Sequence, residues 1–173
     1  DFSAYQTDVD AFLKAGAVAA LPGPRLLICH SMGGCIGVRS LLDERVTPAA
    51  TILSSPMLGL KFSVPARLGA EALVAFAQRF GLETVFAPTP GARRPYVLRQ
   101  PFKDNVLTGD AEHYQWFAKH LEAEPDFGLG GPTLGWLGCA FEETEALRMA
   151  PAPEGPMLTF LGDGESVVDA PAI

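Results

Sequence analysis

Residues 26–55 restrict the fold more than any other part of the chain. Leu26-Leu27-Ile28-Cys29 is an unbroken apolar run, bounded by Leu21-Pro22-Gly23-Pro24 before it and by Ser31-Met32-Gly33-Gly34 after it. A short run without polar alternation is the pattern of a strand buried on both faces. A helix from about Met32 to Leu42 follows, and Thr51-Ile52-Leu53 is a second short apolar run, ended by Ser54-Ser55-Pro56. Strand, helix, strand within this length is the parallel crossover unit, so the fold class is α/β.

The flanking segments extend this reading. Ser3 and Gln6 have capping-box spacing, and Tyr5, Val9, Phe12 and Leu13 recur at helical intervals, which predicts one amphipathic helix over residues 4–20. From Gly59 to Pro156 the pattern changes to helical stretches (66–80, 111–123, 133–148) separated by Gly- and Pro-rich loops, without a convincing strand. After the linker Ala150-Pro151-Ala152-Pro153-Glu154-Gly155-Pro156, the run Met157-Leu158-Thr159-Phe160-Leu161 restores the buried-strand pattern. The expected organisation is therefore a core segment, residues 1–58, a helical insertion, residues 59–156, and a return to the core sheet, residues 157–173.

Composition narrows the functional classes. Thirteen Lys and Arg against twenty Asp and Glu give a net charge of −7, which argues against nucleic acid as a partner. Cys29, Cys35 and Cys139 are odd in number and lack CxxC spacing, so neither a disulfide framework nor a metal site is expected, and a reducing, cytoplasmic setting fits best. No apolar run approaches the roughly 20 residues of a membrane span. The chain opens at Asp1-Phe2-Ser3 without Met and stops at Pro171-Ala172-Ile173, so it is expected to be a segment of a longer protein.

The chemistry concentrates at Cys29-His30-Ser31-Met32-Gly33-Gly34, between strand and helix. A serine on a strained strand-to-helix turn projects its hydroxyl above the sheet, and small residues two positions on either side let the backbones approach. Gly33 meets that need on one side; Cys29 stands where a second glycine is usual. The N–H of Met32, at the helix start, is placed to receive an oxyanion. Ser31 and Met32 together suit acyl transfer; the plainer reading is a serine that only caps a helix.

With Ser54-Ser55-Pro56-Met57 after the second strand, and with Asn105-Val106-Leu107-Thr108-Gly109-Asp110 and Gly130-Gly131-Pro132-Thr133-Leu134-Gly135-Trp136-Leu137 in the insertion, the sequence resembles a known family. It is similar to the serine α/β-hydrolases of the lysophospholipase and monoacylglycerol lipase group, and most to their bacterial lysophospholipase L2-like branch. The resemblance runs nearly end to end. It implies an α/β-hydrolase fold, a mostly parallel sheet with flanking helices, whose insertion is a helical cap. It also aligns Gly162-Asp163-Gly164-Glu165-Ser166-Val167-Val168-Asp169 with the family's acid loop and places Glu165 on the acid. Asp163 and Asp169 are its near competitors, and a solvated acidic loop is the alternative.

In such enzymes the chain order is Ser, acid, His, and no histidine follows Glu165. The resemblance therefore places the triad histidine, and a second oxyanion donor, outside these residues. His30 is expected to point away from Ser31 by strand alternation, and His113 and His120 share a face of an insertion helix. Arg93, Arg94, Arg99 and Lys103 are the one basic cluster, read first as a solvated loop and second as a contact for lipid phosphate or an anionic membrane surface. Leu73, Val74, Phe76, Ala77, Phe80, Trp116, Phe117, Trp136 and Phe141 are read first as packing. The expected function is hydrolysis of a lipid-like carboxylic ester, lysophospholipid or monoacylglycerol, without cofactor or metal. Peripheral contact at the inner membrane face goes with that reading. Its rival is a non-catalytic lipid- or partner-binding homologue lacking the proton shuttle.

Overall fold

The first helix, α1 (Phe2–Lys14), is capped by Asp1, whose carboxylate accepts the Ser3 N–H at 3.0 Å and the Ser3 hydroxyl. The helix thus starts earlier than the Ser3–Gln6 spacing predicts, because an ionised side chain is already at hand for the free N–H groups. Nor is it one helix to residue 20. Ala15 turns out to an extended conformation (φ −58°, ψ 130°), and a single turn, α2 (Gly16–Ala19), follows. Arg25 fixes that turn separately: one guanidinium nitrogen donates to the carbonyls of Val18, Ala19 and Leu21 at 3.2–3.3 Å.

This computed structural model describes residues 1–89 and 92–173. Three parallel strands, β1 (Leu26–His30), β2 (Ala50–Ser54) and β3 (Met157–Phe160), form a sheet in the order β1-β2-β3. Between β1 and β2 runs α3 (Met32–Leu42), the expected crossover helix. The register aligns Ile28 with Ile52 and Ile52 with Leu158.

The strands are not buried on both faces as their apolar runs suggest. α3 lies against the Leu27 and Cys29 side of β1, and α1 packs on α3. On the other side Ile28 is 69% exposed, and Leu26, Leu158 and Phe160 are each more than half exposed. The physical reason is coverage: among the described residues no helix packs on the Ile28 side of β1, and continuous hydrophobicity does not count covering layers.

The core of this part joins Cys35 and Val38 of α3, Leu53 of β2, and Ala140, Phe141 and Thr144 of α6 (Leu134–Met149), all buried. Its polar groups are satisfied. Gln6 donates to the Ile36 carbonyl at 3.0 Å and accepts the Ser40 hydroxyl at 2.7 Å, while Thr144 donates back to Ala140 at 2.8 Å. Arg39 of α3 and Glu143 of α6 form an ion pair at 2.7 Å.

The chain divides into two compact units: Asp1–Ser63 with Cys139–Ile173, and Val64–Gly138. The second unit contains α4 (Val64–Phe80), α5 (Ala111–Ala123) and the first turn of α6. α5 starts at an Asp110 cap accepting the His113 N–H at 3.0 Å. Phe86 and Thr133 form an antiparallel bridge, a short extended pairing that the sequence does not advertise. Val74 and Ala77 pack inward as expected of an amphipathic helix, but Phe76, Phe80, Trp116 and Phe117 do not; they remain 41–60% exposed. Packing at helical spacing thus holds for one stripe of α4 and fails for the wider aromatic face.

Candidate active site

Ser31 occupies the turn between β1 and α3 with φ 51° and ψ −122°, a left-handed conformation that a residue with a side chain adopts at a cost of about 1–3 kcal/mol. Its backbone is held from three directions. The Ser31 N–H donates to Ser54 O at 3.0 Å, and its carbonyl accepts Gly34 N–H at 2.8 Å and Met57 N–H at 2.9 Å. The simple capping role does not hold, since the Ser31 side chain makes no cap hydrogen bond to α3. Met32 is the first helical residue, so its N–H has no acceptor within the helix.

The small-residue requirement falls elsewhere than the motif indicates. A Cβ added at Gly33 would meet nothing within 4 Å. One at Gly34 would lie 2.5 Å from Pro56 Cβ and 2.7 Å from Pro56 Cα, and one at Gly37 would lie 2.5 Å from Cys29 Sγ. Gly34 therefore lets α3 approach the Pro56 turn, and Gly37 makes room for the cysteine that replaces the usual glycine. Sequence reasoning missed both, although the spacing of Gly34 and Gly37 on one helix was visible.

Glu165 lies on the loop after β3 and is half-buried. Its Oε1 accepts the N–H groups of Val167 at 2.7 Å and Val168 at 3.1 Å. These bonds, the Val167 N–H foremost and the Ser55 side chain among the smaller contributors, hold the carboxyl below its ordinary value against the desolvation of burial. The loop is pinned to the segment after β2: Lys61 N–H donates to Val167 O at 3.1 Å, Asp169 N–H to Gly59 O at 3.0 Å, and Leu60 bridges Val168. Asp163 is exposed, and neither its carboxylate nor that of Asp169 accepts a backbone N–H among the described residues.

Ser31 and Glu165 thus leave the sheet at the same edge, the carboxyl ends of parallel strands, one after β1 and one after β3. Two interstrand spacings separate those strands, about 10 Å. Crevices at this edge are where open α/β sheets bind ligands.

The histidines fall apart from this pair. The His30 ring meets Ser54 on the neighbouring strand, with Nδ1 3.0 Å from its carbonyl oxygen and 3.2 Å from its hydroxyl, and it is exposed, not packed. His113 faces Asp110 at 3.6 Å, and His120 stands edge-on to Trp116 at 4.3 Å. Among the described residues no histidine hydrogen-bonds the Ser31 hydroxyl, no group of His, Cys, Asp and Glu is placed to hold a metal, and no helix is long and apolar enough to cross a membrane. An open cleft lined by Gly23, Pro24, Arg25, Thr47, Pro48 and Ala49 lies by the amino ends of β1 and β2, the edge opposite Ser31.

A parallel sheet, a strained serine between strand and helix and a helical insertion before the last strand define the α/β-hydrolase fold. The chain belongs to the hydrolase family described as serine aminopeptidase, S33, whose family model matches residues 1–173. It is 28% identical over 178 residues to lysophospholipase L2 of Escherichia coli (strain K12), covering 97% of this chain and 48% of the relative. It is 25% identical over 172 residues to a probable lysophospholipase L2 of Haemophilus influenzae, covering 98% and 52%. Among solved structures it resembles a monoacylglycerol lipase of Paleococcus ferrophilus, with a TM-score of 0.55, 18% identity and coverage of 92% of this chain and 53% of that one. The chain spans about half the length of the curated relatives it matches.

Proposed function

We propose that these residues carry the nucleophile and the acid of a serine hydrolase acting on lipid-like carboxylic esters, with lysophospholipid or monoacylglycerol as substrate. The observation that carries the reading is Ser31: a strained backbone held by three main-chain hydrogen bonds, with a hydroxyl not spent on capping. The relatives' names, lysophospholipase and monoacylglycerol lipase, support the substrate class. The insertion expected over residues 59–156 narrows in this reading to the second compact unit, Val64–Gly138, as the cap, because Cys139–Ile173 belongs with the core segment.

In this mechanism the Ser31 Oγ attacks the ester carbonyl carbon and gives its proton to an imidazole supplied by the remainder of the protein. The carbonyl oxygen, now anionic, is stabilised by the Met32 N–H and a second donor. Collapse breaks the bond to the alkoxy group, which leaves with the imidazolium proton, and water then hydrolyses the acyl–Ser31 ester by the same route. Glu165 orients the imidazole and stabilises its protonated form. Three free thiols support a cytoplasmic setting, with peripheral contact at the inner membrane face proposed alongside it.

Fluorophosphonate labelling of the complete protein tests the reading. Label on Ser31, with Ser31→Ala lowering kcat at least about 10³-fold, is expected. Label at another serine, or undiminished turnover by the variant, sinks it. A complete protein that is folded, unlabelled and without esterase activity decides for the non-catalytic homologue.

A further inference from the structure

Residues 93–104 contain Arg93, Arg94, Arg99 and Lys103 against one carboxylate, the exposed Asp104, in a chain whose net charge is −7. None of the four makes an ion pair among the described residues, although Arg39, Arg45, Arg67 and Arg148 all do. Arg93, Arg94 and Lys103 are exposed. Arg99 is different: it is half-buried, its guanidinium lies 5.4 Å from the centre of the Tyr96 ring, and its Nε is buried without a hydrogen-bond partner.

A buried N–H of a charged group costs free energy when unpaired, so a cation is not left this way without compensation. Stacking on an aromatic face supplies part of it and also fixes the plane of the fork. The surroundings are equally ordered. The Tyr96 hydroxyl accepts the Val106 N–H at 3.1 Å, which leaves its own proton to donate, and the Tyr114 hydroxyl donates to Gln100 O at 2.7 Å. Asn105 knots the following turn, donating to Phe102 O and Thr108 O and accepting the N–H groups of Leu107 and Thr108. The result is a guanidinium whose Nε end is buried against the Tyr96 side of the loop and whose terminal nitrogens are neither buried nor hydrogen-bonded among the described residues, within a run of cations. That is the donor set for an oxyanion with several oxygens at one centre, and its charge density favours phosphate over a single carboxylate.

We propose that Arg99, braced on Tyr96, anchors a binding site for a phosphate or phosphate-ester group, with Arg93, Arg94 and Lys103 raising the local positive potential. The ligand is either the phosphodiester of a lipid headgroup or free inorganic phosphate. The proposal rests on the lipid reading above only in the choice between those sources, and binding is measured without reference to Ser31.

The arginine Nε–H resonances of the ¹⁵N-labelled complete protein are followed during titration with glycerophosphocholine, inorganic phosphate, acetate and glycerol. A saturable shift of the Arg99 signal is expected with one or both phosphate probes. Tighter response to glycerophosphocholine assigns the site to a lipid headgroup, and tighter response to inorganic phosphate assigns it to free phosphate. Arg99→Lys keeps the charge but loses the fork, and should raise Kd about tenfold; Arg93→Ala with Arg94→Ala should weaken binding less and reduce its salt dependence. No saturable shift with either phosphate probe, an equal response to acetate, or an Arg99→Lys chain that binds as the parent does overturns the proposal. If Arg99→Lys does not fold, the four titrations of the complete parent protein decide alone. Because Ser31→Ala leaves this site intact, a failed phosphate titration and a failed labelling experiment are independent results.

Discussion

At the scale of single residues, Glu165 differs from its acidic neighbours in what holds it. Two backbone N–H bonds fix its carboxylate, whereas Asp163 is exposed and unheld. In the complete protein Glu165→Gln should lower kcat by roughly three to four orders of magnitude, with Asp163→Asn and Asp169→Asn costing far less; steady-state kinetics that rank an aspartate first would reassign the acid. The same carboxyl has a pH signature. Its folded pKa lies below the ordinary 4.5, so its contribution to stability is present above the unfolded value and disappears as pH falls through the folded one. Glu165→Gln should therefore flatten the acid limb of a stability profile below about pH 4.5, and an unchanged limb would show that the loop bonds contribute nothing. The thiols separate by burial. Cys35 is pushed up to about 12 by desolvation, then by Glu143, and burial also raises Cys29, whereas Cys139 is half-exposed. Under native conditions near pH 8, mass spectrometry should find iodoacetamide on Cys139 well before Cys29 or Cys35.

At the scale of elements, adjacent glycines in α3 should behave oppositely. Gly33→Ala adds a Cβ in open space and removes a flexible residue, so stability should rise by about 0.5–1 kcal/mol. Gly34→Ala drives a methyl into Pro56 and should cost about 1–3 kcal/mol, read from urea denaturation midpoints. Equal effects would mean that the Pro56 turn yields freely. The contrast also shows what was legible beforehand. Periodicity located α3 at Met32–Leu42 and α5 at Ala111–Ala123, because apolar spacing and punctuation act locally. The Ser31 turn was legible for the same reason. Which glycine is crowded was not, since it depends on Pro56, more than twenty residues away. Within these residues alone the strands are less buried than their apolar runs predict, because an apolar run does not say which segment supplies the covering layer. The tie of α2 to Arg25, which reaches back to Val18, Ala19 and Leu21, leaves no mark in residues 4–20.

At the scale of the chain, one side of the sheet is uncovered among the described residues. Leu26, Ile28, Leu158 and Phe160 share it with more than half of each exposed, and β1 and β3 carry free strand edges. The chain by itself should bind a dye such as anilinonaphthalene sulfonate and associate at micromolar concentration. Ile28→Thr with Phe160→Thr should reduce both by sedimentation and fluorescence, and persistence of both would move the sticky surface to the aromatic face of α4 and α5. The strand order carries a consequence in time. β1 and β2 are separated by about twenty residues, but β3 reaches β2 only after an excursion of about a hundred. Closing the longer loop costs about 1.4 kcal/mol more in chain entropy. The crossover that strains Ser31 is therefore expected to assemble before the segment bearing Glu165 docks. On that order the turn at Ser31 is built before Glu165 reaches the same edge of the sheet, and φ-values higher in α3 than in β3 would show it.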